Sequence, residues 1–109
     1  MVNQPHQAVA RELAGIATDL QALDLWDAQP PSETALASRE PFCLDTLSFP
    51  QWLQFIFLPR MSSLCEQSLT LPTKCGIAPM SEEYFRPLDL NSHSLTEALS
   101  RIDQHLEQR

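Results

Sequence analysis

Residues 48–61 read Ser48-Phe49-Pro50-Gln51-Trp52-Leu53-Gln54-Phe55-Ile56-Phe57-Leu58-Pro59-Arg60-Met61, and the fold turns on whether this apolar run coils or pleats. Ser48 followed three residues on by Gln51 fits a capping box. In that arrangement the hydroxyl accepts from the third helical N–H and the amide reaches back to the cap. Pro50 falls in the first turn, where its missing N–H is tolerated. The box predicts a helix from about Phe49 to Gln67. Pro59 lies inside it, removes one donor and crowds the carbonyl of Phe55, so a kink or a break into two helices is expected there. A buried strand over 52–58 is the alternative, because short apolar runs fit either period.

Charge distribution places this run inside the molecule. Residues 41–75 hold four charged side chains (Asp45, Arg60, Glu66 and Lys74), against eight in residues 1–40 and nine in residues 76–109. A segment so poor in charge should be enclosed by its neighbours. Both flanks supply a helix with one apolar stripe. Upstream, Val9, Leu13, Ile16, Leu20 and Leu23 recur at spacings of four and three, predicting a helix over 5–25. Downstream, Ser94-Leu95-Thr96-Glu97 fits a second capping box, and Leu95, Leu99, Ile102 and Leu106 carry a stripe through a helix over 95–107. A short helix capped by Ser32 is expected over 32–38. Residues 39–48 read as extended or turn, since Pro41 disfavours helix at Glu40. Residues 69–79 read as a loop, and Ser81-Glu82-Glu83 as the start of a short helix ending before Pro87.

Composition agrees. Leu occurs 17 times and Ala 10 times, against six for Val and Ile together, a bias toward helix. With only Gly15 and Gly76, turns that require a positive φ are poorly supplied. The expected fold is all-α: one domain over 1–109, an irregular helical bundle of about four to five helices, with two long terminal amphipathic helices packed on a kinked central one.

The formal charge of −7 and pI near 4.7 disfavour direct binding to nucleic acid, whose phosphates call for a basic surface, and an anionic membrane would repel the chain. A basic protein surface remains a suitable partner. No basic start followed by an apolar core opens the chain, and no apolar run is long enough to span a bilayer, so the cytoplasm is the expected location. Three cysteines, Cys43, Cys65 and Cys75, fit free thiols better than a disulfide framework.

Chemistry-bearing motifs are sparse. The cysteines form no CxxC pair, and His6, His93 and His105 form no HxxxH, so neither a metal nor any other cofactor is expected. Cys75, beside Lys74 and Gly76, is the best-placed thiol for a reactive role, with an ordinary loop cysteine the plainer reading. GxSxG, P-loop and GxGxxG motifs are absent. Asp45 sits in an apolar setting where it would cap a turn or the start of the central helix, pair with Arg60 or face a ligand. Arg60 is the only cation between Arg39 and Lys74; it either snorkels or, with aromatic neighbours, forms an anion site. Trp52, Phe55 and Phe57 first read as core, but they cannot all meet one small core, which leaves an aromatic as an anchor for a partner. Asp45, Trp52, Gln54 and Arg60 are therefore the candidate binding residues.

Pro41-Phe42-Cys43-Leu44-Asp45-Thr46-Leu47, Gln51 through Met61, Leu71-Pro72 and Ile77-Ala78-Pro79 resemble the YqcC-like family, small bacterial proteins of uncharacterised function. The resemblance implies a helical bundle and an association with a tRNA pseudouridine synthase, by which such proteins are often labelled. The reading that follows is a non-enzymatic accessory or adaptor protein with a protein partner, which the resemblance implies is a tRNA-modifying enzyme. The alternative is a ligand-binding protein or enzyme with a pocket at Asp45 and Arg60, including the synthase activity itself. The heptad-like spacing of the first helix also permits a homodimer.

Overall fold

The central run coils. In the computed structural model, which describes residues 4–40, 43, 45–72, 76–88 and 90–107, the Ser48 hydroxyl accepts from the Gln51 N–H at 3.3 Å. The Gln51 amide oxygen accepts from the Ser48 N–H at 2.9 Å, completing the capping box. From it run α3 (Phe49–Trp52), a π-helical turn (Leu53–Phe57) and α4 (Leu58–Glu66). The backbone stays right-handed helical at Trp52, Leu53, Phe57 and Leu58, so the chain does not break into two separate helices. The expected disturbance at Pro59 takes the form of the π turn just before it, which widens the helix where the proline ring would meet the Phe55 carbonyl.

Two long helices close over this rod. α1 (Gln4–Ala22) buries Val9, Leu13, Ile16 and Leu20, and α6 (His93–Glu107) buries Leu95, Ala98, Leu99, Ile102 and Leu106. They run antiparallel, with Ser94 donating to Asp19 at one end and Arg101 donating to Glu12 Oε2 at 2.8 Å further along. α4 packs on another side of α1, and α5 (Ile77–Phe85) packs on α6. All four stripes join the buried central residues Phe49, Leu53, Phe57, Leu58 and Met61 in one hydrophobic core. α2 (Glu33–Leu36) is a single turn capped by Ser32, as expected. No strand occurs among the described residues, and none of their helices is long and apolar enough to cross a membrane.

Three local departures have identifiable causes. α5 begins at Ile77, four residues before the expected cap at Ser81. Gly76, at φ 62°, supplies no side chain, and the cap comes from α6: the Asp103 carboxylate accepts from the N–H groups of Ile77 (3.2 Å) and Ala78 (2.9 Å). Pro79 then sits within the first turn, and Ser81, fully buried, shares a hydrogen bond with Thr96 at 2.7 Å. α6 likewise starts before the box read at Ser94. Its His93 N–H donates to the Asn91 side chain, and the Ser94 hydroxyl donates to Asp19. Lastly, the scarcity of glycine does not prevent left-handed turns. Asp24 (φ 60°) and Ser68 (φ 51°) close α1 and α4 in Schellman-type ends, with Leu25 N–H donating to the Leu20 carbonyl and Leu69 N–H to the Leu64 carbonyl, both at 2.9 Å.

Candidate functional site

The four candidate residues do not converge. Asp45 is exposed and accepts from the Ser38 hydroxyl, while the next residue, Thr46, donates to the Ala35 carbonyl at 2.7 Å. The Thr46 bond ties this part of the chain to α2, while Asp45 meets a side-chain hydroxyl and not the backbone N–H that a cap would hold. Arg60 is exposed on α4. Among the described residues no ion pair joins it to Asp45.

Gln54 is buried, 7% exposed, yet both ends of its amide have a partner. Its oxygen accepts from the Asp27 N–H at 2.8 Å and its nitrogen donates to the Asp27 carbonyl at 2.9 Å. Gln51 adds a donor to the Asp27 carboxylate at 3.1 Å. Two glutamines of the central rod thus hold the segment after α1 against it, which satisfies a buried polar side chain in an apolar setting.

Trp52 is half-buried between Phe49 and Phe57, its ring stacked on both at centroid distances of 6.2 and 5.4 Å. Residues five apart on a regular α-helix point about 140° away from each other. Stacking of Trp52 on Phe57 uses the wider π turn, which brings the two rings to the same side. Phe49 also meets Tyr84 and Phe85 of α5. Trp52 and Phe57 reach the core together by this change of pitch, whereas Phe55, only partly buried, takes no part in the core cluster. Among the described residues the exposed aromatic is Trp26, at 40%, outside the central run.

Trp26 belongs to a groove of about 480 Å³ between α1 and α4. Ala10, Leu13, Ala14 and Ala17 form its α1 side; Leu58, Ser62, Cys65 and Glu66 line the α4 side, with Gln54 and Trp26 toward one end. A smaller concavity bounded by His6, Gln7, Ala10, Cys65 and Glu66 continues it toward the start of α1. Because Gln54 fixes Asp27, it also sets the position of Trp26 one residue earlier. Neither Asp45 nor Arg60 lines this groove.

His6 is buried at the far end. Its Nε2 lies 2.6 Å from the Leu69 carbonyl, which can only accept, so Nε2 donates; no partner for Nδ1 exists among the described residues. Burial, and then the neighbouring Glu66 carboxylate, push the Cys65 thiol up from its ordinary value, which disfavours the nucleophilic thiolate. Cys43 is buried, and Cys75, the thiol singled out in the sequence, lies outside the described residues together with Lys74. No group of three or more metal-ligating side chains occurs among the described residues.

The groove went unread because the first helix was judged by its large residues alone. A signal was present: Ala10, Ala14 and Ala17 repeat at spacings of four and three, beside the Leu13 stripe, and mark a second face where another helix can come close.

Residues 8–105 match the family DUF446, described as "tRNA pseudouridine synthase C". The chain belongs to this family. An uncharacterised family relative from Haemophilus influenzae is 38% identical over 96 residues, 88% of this chain and 87% of the other. A chain named tRNA pseudouridine synthase C from Pectobacterium carotovorum is 44% identical over 64 residues, which are 59% of this chain and 17% of that one. Among solved structures, the solution structure of YqcC from Escherichia coli superposes with a TM-score of 0.76, covering 96% of this chain and 90% of that one at 24% identity. The helical-bundle fold of the family is therefore the fold seen here.

Proposed function

We propose that this chain is a non-catalytic accessory protein that binds a tRNA pseudouridine synthase. One observation carries the reading. In the Pectobacterium protein, a segment 44% identical to this chain makes up only 17% of a much longer polypeptide named as the synthase. A unit that is covalently attached to a larger protein in one organism and occurs as a short chain elsewhere is suited to act beside that protein. Charge supports the same assignment. A chain of net charge −7 is a poor ligand for tRNA phosphates but a good one for the basic surface of an enzyme that holds tRNA.

The test mixes the purified chain with the purified synthase encoded in the same genome. Binding is followed by calorimetry, and uridine isomerisation in tRNA is assayed with the synthase alone, the chain alone and both. The reading expects a defined stoichiometric complex and no isomerisation by the chain alone. Absence of a complex at micromolar concentrations, or isomerisation by the chain itself, overturns it.

A further inference from the structure

We infer that the groove between α1 and α4 is the docking site for an amphipathic helix of the synthase, one with an apolar face and a basic residue toward the His6–Glu66 end. This rests on the accessory reading above and adds the surface and the chemistry of the occupant.

Three observations point to that occupant. The α1 wall presents Ala10, Ala14 and Ala17, side chains short enough for another helix to approach closely, above a floor that includes Leu13 and Leu58. From His6 to Ala17 the two joined concavities follow α1 for about 16 Å, three turns of a helix. Trp26, 40% exposed at the other end of the groove, has the form of an interface anchor, a large aromatic held in place by a hydrogen-bonded backbone.

Polar groups at the His6 end define the occupant's chemistry. The buried Nδ1 of His6 has no partner among the described residues, and a buried polar atom without one is costly. Glu66 lines both concavities and makes no ion pair among the described residues. A Lys or Arg side chain arriving there supplies a donor to one and a counter-charge to the other. A protein that grips tRNA carries basic residues, and the −7 charge of this chain favours their approach. A second copy of this acidic chain would meet repulsion instead.

The experiment uses the full chain and the purified synthase. Ala14→Glu places a carboxylate in the groove at an exposed helical position, so the fold is retained, which a thermal melt verifies. Gln104→Glu adds the same charge on the α5–α6 face, at another exposed position. The expected result is a dissociation constant raised about tenfold or more by Ala14→Glu and unaltered by Gln104→Glu. A photoreactive phenylalanine analogue at position 14 should cross-link to a helical peptide of the synthase. If the unaltered chain binds the synthase and Ala14→Glu binds equally well, the groove assignment falls while the accessory role stands. If the unaltered chain does not bind, both fall. Cross-linking only to a second copy of the chain overturns the assigned occupant.

Discussion

Replacing Gln54 with glutamate changes one atom type in the bracket that holds Asp27, so its effect can be worked from the geometry. The amide oxygen that accepts the Asp27 N–H at 2.8 Å is kept. The nitrogen that donates to the Asp27 carbonyl at 2.9 Å becomes a carboxylate oxygen facing another oxygen. One buried hydrogen bond is lost, a carbonyl is left unpaired, and a charge is placed at a position only 7% exposed, near the Asp27 carboxylate that Gln51 holds. Together these cost about 3 kcal/mol at neutral pH. Unfolding entropy scales with length, and for 109 residues it is about 0.23 kcal/mol/K, so the midpoint should fall by about 13 °C. The sign with pH is fixed. Burial and the facing oxygen raise the folded-state pKa of the introduced carboxyl above its unfolded value of about 4.3. The penalty is complete above the folded pKa and shrinks as pH falls through it, when the protonated carboxyl can again donate to the Asp27 carbonyl. Thermal melts of Gln54→Glu and the parent, paired at each pH from neutral to weakly acidic, measure the difference. A neutral-pH deficit under about 3 °C, or one that widens in acid, would refute the bracket as the element that holds this segment.

Gly15 lies within α1 at an ordinary helical φ with open space around its α-carbon, so Gly15→Ala should stabilise by about 0.5–1 kcal/mol, read as a rise in melting temperature. Asp103→Ala strands the N–H groups of Ile77 and Ala78 and should cost about 2 kcal/mol, with amide exchange accelerated most in residues 77–85. Alkylation of Cys65, followed by peptide mass mapping, should be slower in the folded chain than in the unfolded one at mildly alkaline pH. Its inflection should be displaced upward, because burial and then Glu66 favour the neutral thiol. By the same linkage, this group's contribution to stability declines as pH rises through the unfolded thiol's range.

What could be read from the residues alone was what is local and repetitive. The stripes of α1 and α6 recur within a turn or two, and the Ser48–Gln51 box closes over three residues, so spacing suffices to find them. The start of α5 could not be found this way, because its cap is Asp103, in another helix. Ser94 met the capping pattern, but α6 begins one residue before it, at His93, and the Ser94 hydroxyl donates to Asp19, 75 residues away. Pro59 announced a disturbance without saying which; a widened turn keeps the helix continuous and aligns Trp52 with Phe57, a solution that rests on packing partners rather than on spacing. For the candidate site, Asp45, Trp52 and Gln54 stood out as unusual for their surroundings, and the structure engages each of them in internal contacts. The open groove is built from alanines and from Trp26 just past a helix end, residues ordinary in their own context.

The carboxylate that opens α5 belongs to a residue synthesised 26 positions later. During translation the 77–85 segment is complete before the group that pins its first turn exists, and a nine-residue helix lacks the length to persist in water unaided. The last third of the chain must then acquire its order in a single event, when α6 docks and supplies both a packing face and an anchor. Shortening the chain before Asp103 should therefore unravel two helices together.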